Sequence, residues 1–162
     1  MKITKLWFLF LSRRKGKKRV KYRIAVASTD GKVVNQHFGR AEEFYIIEVD
    51  SSNPDTLRCI EKRSVSAFCE GGDHDDKRLE EAISGIADCG YVIVSRIGSR
   101  AERRVESHGI KAFELPGIIQ ESVREMINYL EIQNIINNFS HQHSELAIEK
   151  NTEKENSQDG DI

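Results

Sequence analysis

Three loops gather the side chains with chemistry to offer. The richest is Cys69-Glu70-Gly71-Gly72-Asp73-His74-Asp75-Asp76. A thiol and an imidazole at this spacing can converge on one soft or borderline metal, and two adjacent glycines leave the chain free to bring them together. Helix capping accounts for the aspartates equally well. Asp73 suits an N-cap, and Asp75 and Asp76 suit a first turn, where the helix dipole favours acids. Capping says nothing about Cys69 or His74. The acids argue against a phosphate site, because they already occupy the positive helix end.

The second loop, Asn35-Gln36-His37-Phe38-Gly39-Arg40, offers an imidazole, an aromatic ring, a flexible glycine and a guanidinium. The third, Ser95-Arg96-Ile97-Gly98-Ser99-Arg100, follows an apolar run and leads into a helix start, where free N–H groups favour anions. Arg96 and Arg100 add fixed positive charge there. Each loop reads equally as a solvated surface connection, and spacing alone leaves both readings open. Cys59 and Cys89 lie in or beside apolar segments and are expected to be buried as small hydrophobes. His108 is expected to meet the carbonyls of a helix C-terminus. His141 and His143 fall in a polar stretch and make a poor metal site. No Gly-rich phosphate loop, zincin helix or nucleophile elbow occurs.

The elements that must position these loops follow from periodicity. Arg23 to Ser28 reads as a strand with branched residues on one face and alanines on the other, so a helix is expected against the small face. Asp30-Gly31 signals a hairpin. Phe44 to Val49 and Leu57 to Arg63 are two more strands, joined by a turn at 50–55. Leu79, Ala82, Ile83, Ile86 and Ala87 share a helical face, and Gly90 is placed to end that helix. Tyr91 to Val94 is a short apolar strand of the kind covered on both faces. Ser99 and Glu102 suggest a capping box opening a second helix, which Gly109 stops. Lys111 to Leu115 suits a last strand. Ile119, Val123, Met126, Ile127 and Leu130 then line a terminal helix. The predicted class is α/β, a mixed sheet with helices on its faces.

Composition sets the outer limits. The chain has 162 residues, 25 basic and 26 acidic, so its net charge of −1 predicts no polyanion partner. The balance hides a split, because residues 1–22 hold nine Lys or Arg and no acid. Three zones are therefore expected: a basic extension at 1–22, a core at 23–139, and a polar, disordered tail at 140–162. The longest apolar run, Leu6 to Leu11, is far short of the roughly 20 residues that span a membrane. It is also short for a signal-peptide core, and Arg13-Arg14-Lys15 follows where small residues should lie. Three cysteines are too few for a disulfide framework and suit a reducing compartment. A cytoplasmic protein is expected.

The stretch from Arg23 through Gln36-His37-Phe38-Gly39-Arg40 to Tyr45 resembles the dinitrogenase iron–molybdenum cofactor biosynthesis family, the family of NifX, the NafY core and the NifB C-terminal domain. The Gly72-Asp73-His74-Asp75-Asp76 region, the run from Asp88 to Gly98, and the Gly109 to Gly117 segment before a helix are similar too. The resemblance covers about residues 23–132. It implies an RNase H-like fold with a mixed five-stranded sheet. It also implies binding and transfer of an iron–sulfur cofactor or its precursor (FeMo-cofactor or NifB-cofactor type), without catalysis, between donor and acceptor proteins of nitrogenase assembly. A histidine ligand is implied, with His74 the first choice, because the Gly71-Gly72 loop lets it swing toward the cargo, His37 the reserve, and Cys69 an accompanying thiolate. Arg40, Arg96 and Arg100 would supply charge to an anionic cluster.

Two other classes compete. An interaction or regulatory module of the same fold, outside nitrogen fixation, would use the basic N-terminal segment as its docking element. An RNase H-like nuclease is the least favoured, because that chemistry needs several carboxylates converging on two metal ions. The first strand contains no acid, and Asp30 is already in the turn.

Overall fold

A computed structural model describes the backbone of residues 19–65 and 76–156, with side chains up to residue 139. Cys69, His74 and nearly all of the basic extension lie outside the described residues. Among the described residues, ten strands and α-helices follow in order: β1 (Lys21–Ala27), β2 (Val33–Val34), β3 (Glu43–Asp50), β4 (Asn53–Ser64), α1 (Asp76–Ser84), β5 (Tyr91–Val94), α2 (Ser99–Ser107), β6 (Lys111–Glu114), β7 (Gly117–Ile118) and α3 (Ile119–Asn156), with a 3-10 turn at Phe38–Arg40 between β2 and β3. Five strands form one sheet in the order β4-β3-β1-β5-β6. β3 runs antiparallel to β1 and β4, whereas β5 runs parallel to β1 and β6. The domain is α/β with a mixed five-stranded sheet, as the periodicity and the resemblance together predict.

The alternation in β1 decides how the layers form. Ala25 and Ala27 pair with Ile46 and Phe44 on β3, and Ala25 also pairs with Val92 on β5. These residues join Leu79, Ala82 and Ile83 of α1 and Ala101 and Val105 of α2 in one buried cluster. The small side chains of β1 let the helices approach, and the branched ones, Ile24 and Val26, are fully buried on the opposite face.

Several local expectations are overturned. Asp30-Gly31 turns the chain, with Gly31 at φ +70°, but it does not build a β1–β2 hairpin. Both edges of β1 are already taken by β3 and β5, so β2 pairs with β7 instead. The positive φ favours glycine here, and a Cβ on Gly31 would lie 2.7 Å from the Tyr45 ring, which would have to shift. α1 ends at Ser84 rather than at Gly90. Gly85 is a weak helix former, and its carbonyl accepts from Arg63 Nη1 at 2.9 Å instead of continuing a helical ladder. Ser99 opens α2 as its first residue, and Gly98 is the N-cap with no side-chain bond, so the Ser99–Glu102 capping box is not formed. Gly109 does follow the end of α2 in the left-handed region, at φ +78°.

Cys89 is buried as expected, and burial pushes its thiol up to about 11. Cys59 is exposed, against expectation. It lies on the edge strand β4, whose register shifts opposite Ile46 and Ile47, and apolar neighbours there do not imply cover. α3 continues to Asn156, through most of the 140–162 segment expected to be a disordered tail. No proline or glycine interrupts residues 119–156, so nothing local terminates the helix.

One charged network ties β4 to the turn after α1. Arg63 Nη2 donates to Asp88 Oδ2 at 2.9 Å, Arg63 also pairs with Glu61, and Arg23 lies 3.1 Å from the same Asp88 oxygen. The Arg63 guanidinium holds the Asp88 carboxyl down, from 3.8 to about 2. A depressed folded value means that this contribution to stability is complete above the unfolded value and vanishes as pH falls towards about 2. Asp88→Asn should therefore be less stable than wild type at neutral pH. The gap should close between pH 3.8 and about 2, read from urea unfolding at stepped pH.

Candidate functional site

Because β1 and β5 are parallel neighbours, their C-terminal ends emerge together. The segment after β1 is shaped by local polar bonds. Ser28 Oγ accepts from Gly31 N at 2.9 Å, and Asp30 Oδ1 accepts from Lys32 N at 2.8 Å and Val33 N at 3.0 Å. These two backbone donors hold the Asp30 carboxyl below the usual carboxylate range. Asn35 then doubles back on Thr29, accepting from its N–H at 3.1 Å and donating to its hydroxyl at 2.7 Å.

That folding back delivers the 35–40 loop to the end of β5. Ser95 N donates to Gln36 O at 2.9 Å, Phe38 N donates to Arg96 O at 2.9 Å, and His37 and Arg96 form a parallel bridge. Phe38, only 1% exposed, anchors the loop, with its ring 5.8 Å from Phe44. Beyond β5, the Ile97 side chain is buried and its N–H donates to Glu114 Oε1 at 2.6 Å. The backbone is thus pinned on both loops while the His37 and Arg96 side chains stay exposed. Arg40 is exposed as well and borders a cavity of about 250 Å³ with Ser28, Thr29, Gln36, Glu42 and Glu43.

The candidate residues therefore separate. His37 and Arg96 are brought side by side by their backbone bridge, and no ion pair among the described residues engages Arg40 or Arg96. Arg100 is already committed, since its guanidinium pairs with Asp76 at the start of α1. Arg104 pairs with Glu80 one turn on, and His108 Nε2 lies 3.2 Å from Glu80 while Nδ1 contacts Arg104 O at 2.9 Å. His108 thus meets a helix-end carbonyl as expected. Among the described residues, no three of His, Cys, Asp and Glu converge as a metal site. Residue spacing missed the framing role of Ser28, Thr29 and Asn35, although Ser-Thr-Asp-Gly is a turn-forming signature.

At the C-terminal ends of the parallel strands β1 and β5, this α/β domain presents the exposed His37 imidazole and the exposed Arg96 guanidinium. The family described as dinitrogenase iron-molybdenum cofactor matches residues 20–130, and the chain belongs to that family. The FeMo cofactor biosynthesis protein NifB of Frankia alni is 36% identical over 106 residues, 64% of this chain and 20% of that protein. NifB of Herbaspirillum seropedicae is 32% identical over 111 residues, 67% of this chain and 21% of the relative. The chain thus spans about a fifth of the length of these curated relatives. The crystal structure of PH0822 aligns with a TM-score of 0.48 at 20% identity, covering 65% of this chain and 89% of that one. No helix among the described residues is long and apolar enough to cross a membrane.

Proposed function

We propose that the protein carries an iron–sulfur cofactor or its precursor, of the FeMo-cofactor or NifB-cofactor type, during nitrogenase cofactor assembly. It takes this cargo from a donor protein and yields it to an acceptor in the cytoplasm, without catalysing a reaction on it. The observation that carries this reading is the His37–Arg96 juncture. Its backbone is fixed by reciprocal hydrogen bonds and a buried Phe38, yet its two functional side chains stay exposed. A resident iron–sulfur centre is commonly held by four thiolates, whereas a carrier must release its cargo. One imidazole with guanidinium support, and a thiolate if Cys69 reaches the same point, is a ligand set that a partner can outcompete. The family membership and the NifB relatives support the pathway.

The sheet is read here as RNase H-like, which the order β4-β3-β1-β5-β6 with only β3 reversed supports. Nuclease chemistry is not favoured. β1 carries no acid, and Asp30 is occupied with backbone donors. The test is anaerobic mixing of the protein with isolated cluster precursor, followed by gel filtration. Visible absorption and iron should travel with the protein; a colourless, iron-free protein peak refutes the carrier reading.

A further inference from the structure

α3 has two apolar faces with different fates. Ile119, Val123, Met126, Ile127 and Leu130 are buried. Beyond Leu130 no described residue is buried, yet large apolar side chains continue. Tyr129 is 43% exposed, Ile132 56%, Ile135 54%, Ile136 51% and Phe139 61%. At 100° per residue these five fall within an arc of about 120°, roughly opposite the buried face. The stripe is therefore distinct from the buried face of the same helix.

We infer that this stripe is the seam of an antiparallel helix pairing with a second copy of the chain. Tyr129, Ile132, Ile136 and Phe139 follow the three-four-three spacing that lets one helix insert its side chains between those of another. The spacing reads the same in both directions. In an antiparallel pair centred on Asn134, Ile132 of each copy faces Ile136 of the other, and Tyr129 faces Phe139. The interface is isologous, and its ends are aromatic pairs. Antiparallel packing also sets the helix dipoles head to tail.

Charge and area favour this occupant. Between Tyr129 and Phe139 the only charged residue is Glu131, and the rest of the polar positions are Asn and Gln. A neutral stripe offers nothing to select a basic or acidic partner, and it does not repel its own copy. Five side chains about half exposed leave on the order of 500 Å² of apolar surface, at the upper end of what a monomer carries. Two copies covering each other would bury ~1,000 Å², the threshold for a specific interface.

The test is the mass of the full chain under reductant, measured by sedimentation across the micromolar range. Wild type should reach twice 18.5 kDa. Ile132→Lys and Ile136→Glu should each stay monomeric, with unchanged far-ultraviolet circular dichroism because both positions are exposed. Mixed in equal amounts, the two variants should recover a dimer, because Lys at 132 of one copy then faces Glu at 136 of the other. A wild-type chain that remains at 18.5 kDa throughout, or single variants that dimerise as wild type does, overturns the seam. A mixture that stays monomeric overturns the antiparallel pairing.

Discussion

Phe38→Ala is expected to destabilise the protein by about 3–5 kcal/mol, the range for truncating a fully buried aromatic side chain. The ring is 1% exposed, tilts against Phe44 and belongs to the same cluster as β1, α1 and α2. Its removal leaves a cavity beside Phe44 within that cluster. The flanking backbone also limits collapse, because Phe38 N and Gln36 O are bonded to Arg96 and Ser95. Denaturant unfolding measures the loss, and a change below about 1 kcal/mol would mean that the loop closes over the gap. Phe38→Leu should recover most of the stability. The same substitution bears on function, because Phe38 is the anchor that holds His37 against Arg96. Cargo retention should fall in Phe38→Ala even though neither exposed side chain has been touched.

How far the fold could be read depended on the range of the interaction. β1, β3, β5 and α2 follow from period and punctuation within a dozen residues, and all four form near their expected positions. The pairing of β2 with β7 joins Val33 to Ile118, and no local signal carries it. Asp30-Gly31 correctly marked a turn, but the destination of the chain was set by which edges of β1 were already occupied. Cys59 misled for a related reason. Burial on a strand depends on whether the sheet continues beyond it, and β4 turned out to be the edge. At the site, the types of residue were legible, but their commitments were not. Arg96 and Arg100 look alike in sequence, yet only the fold shows that Asp76, 24 residues before Arg100, has claimed the second guanidinium.

That difference separates the arginines in the last prediction, where His37→Ala and Arg96→Ala should each cut retention of the anaerobically supplied cluster about tenfold or more. For His37 the scale is that of losing a metal-site partner. For Arg96 it is a charge-assisted contact, ~1.5–3 kcal/mol, which is about ten- to a hundredfold in affinity. Arg96→Lys should recover only part of the loss, because a lysine keeps the charge but not the directed fork of donors. Arg100→Ala should cost less retention than Arg96→Ala, since Asp76 already neutralises that guanidinium. Both His37 and Arg96 are exposed, so their alanine variants should melt close to wild type, which keeps a binding defect distinct from a folding defect. Iron content after gel filtration, alongside thermal unfolding of the same samples, reads both quantities. Full retention in His37→Ala together with loss in a His74→Ala, Cys69→Ala double variant would move the ligand to the 69–76 loop.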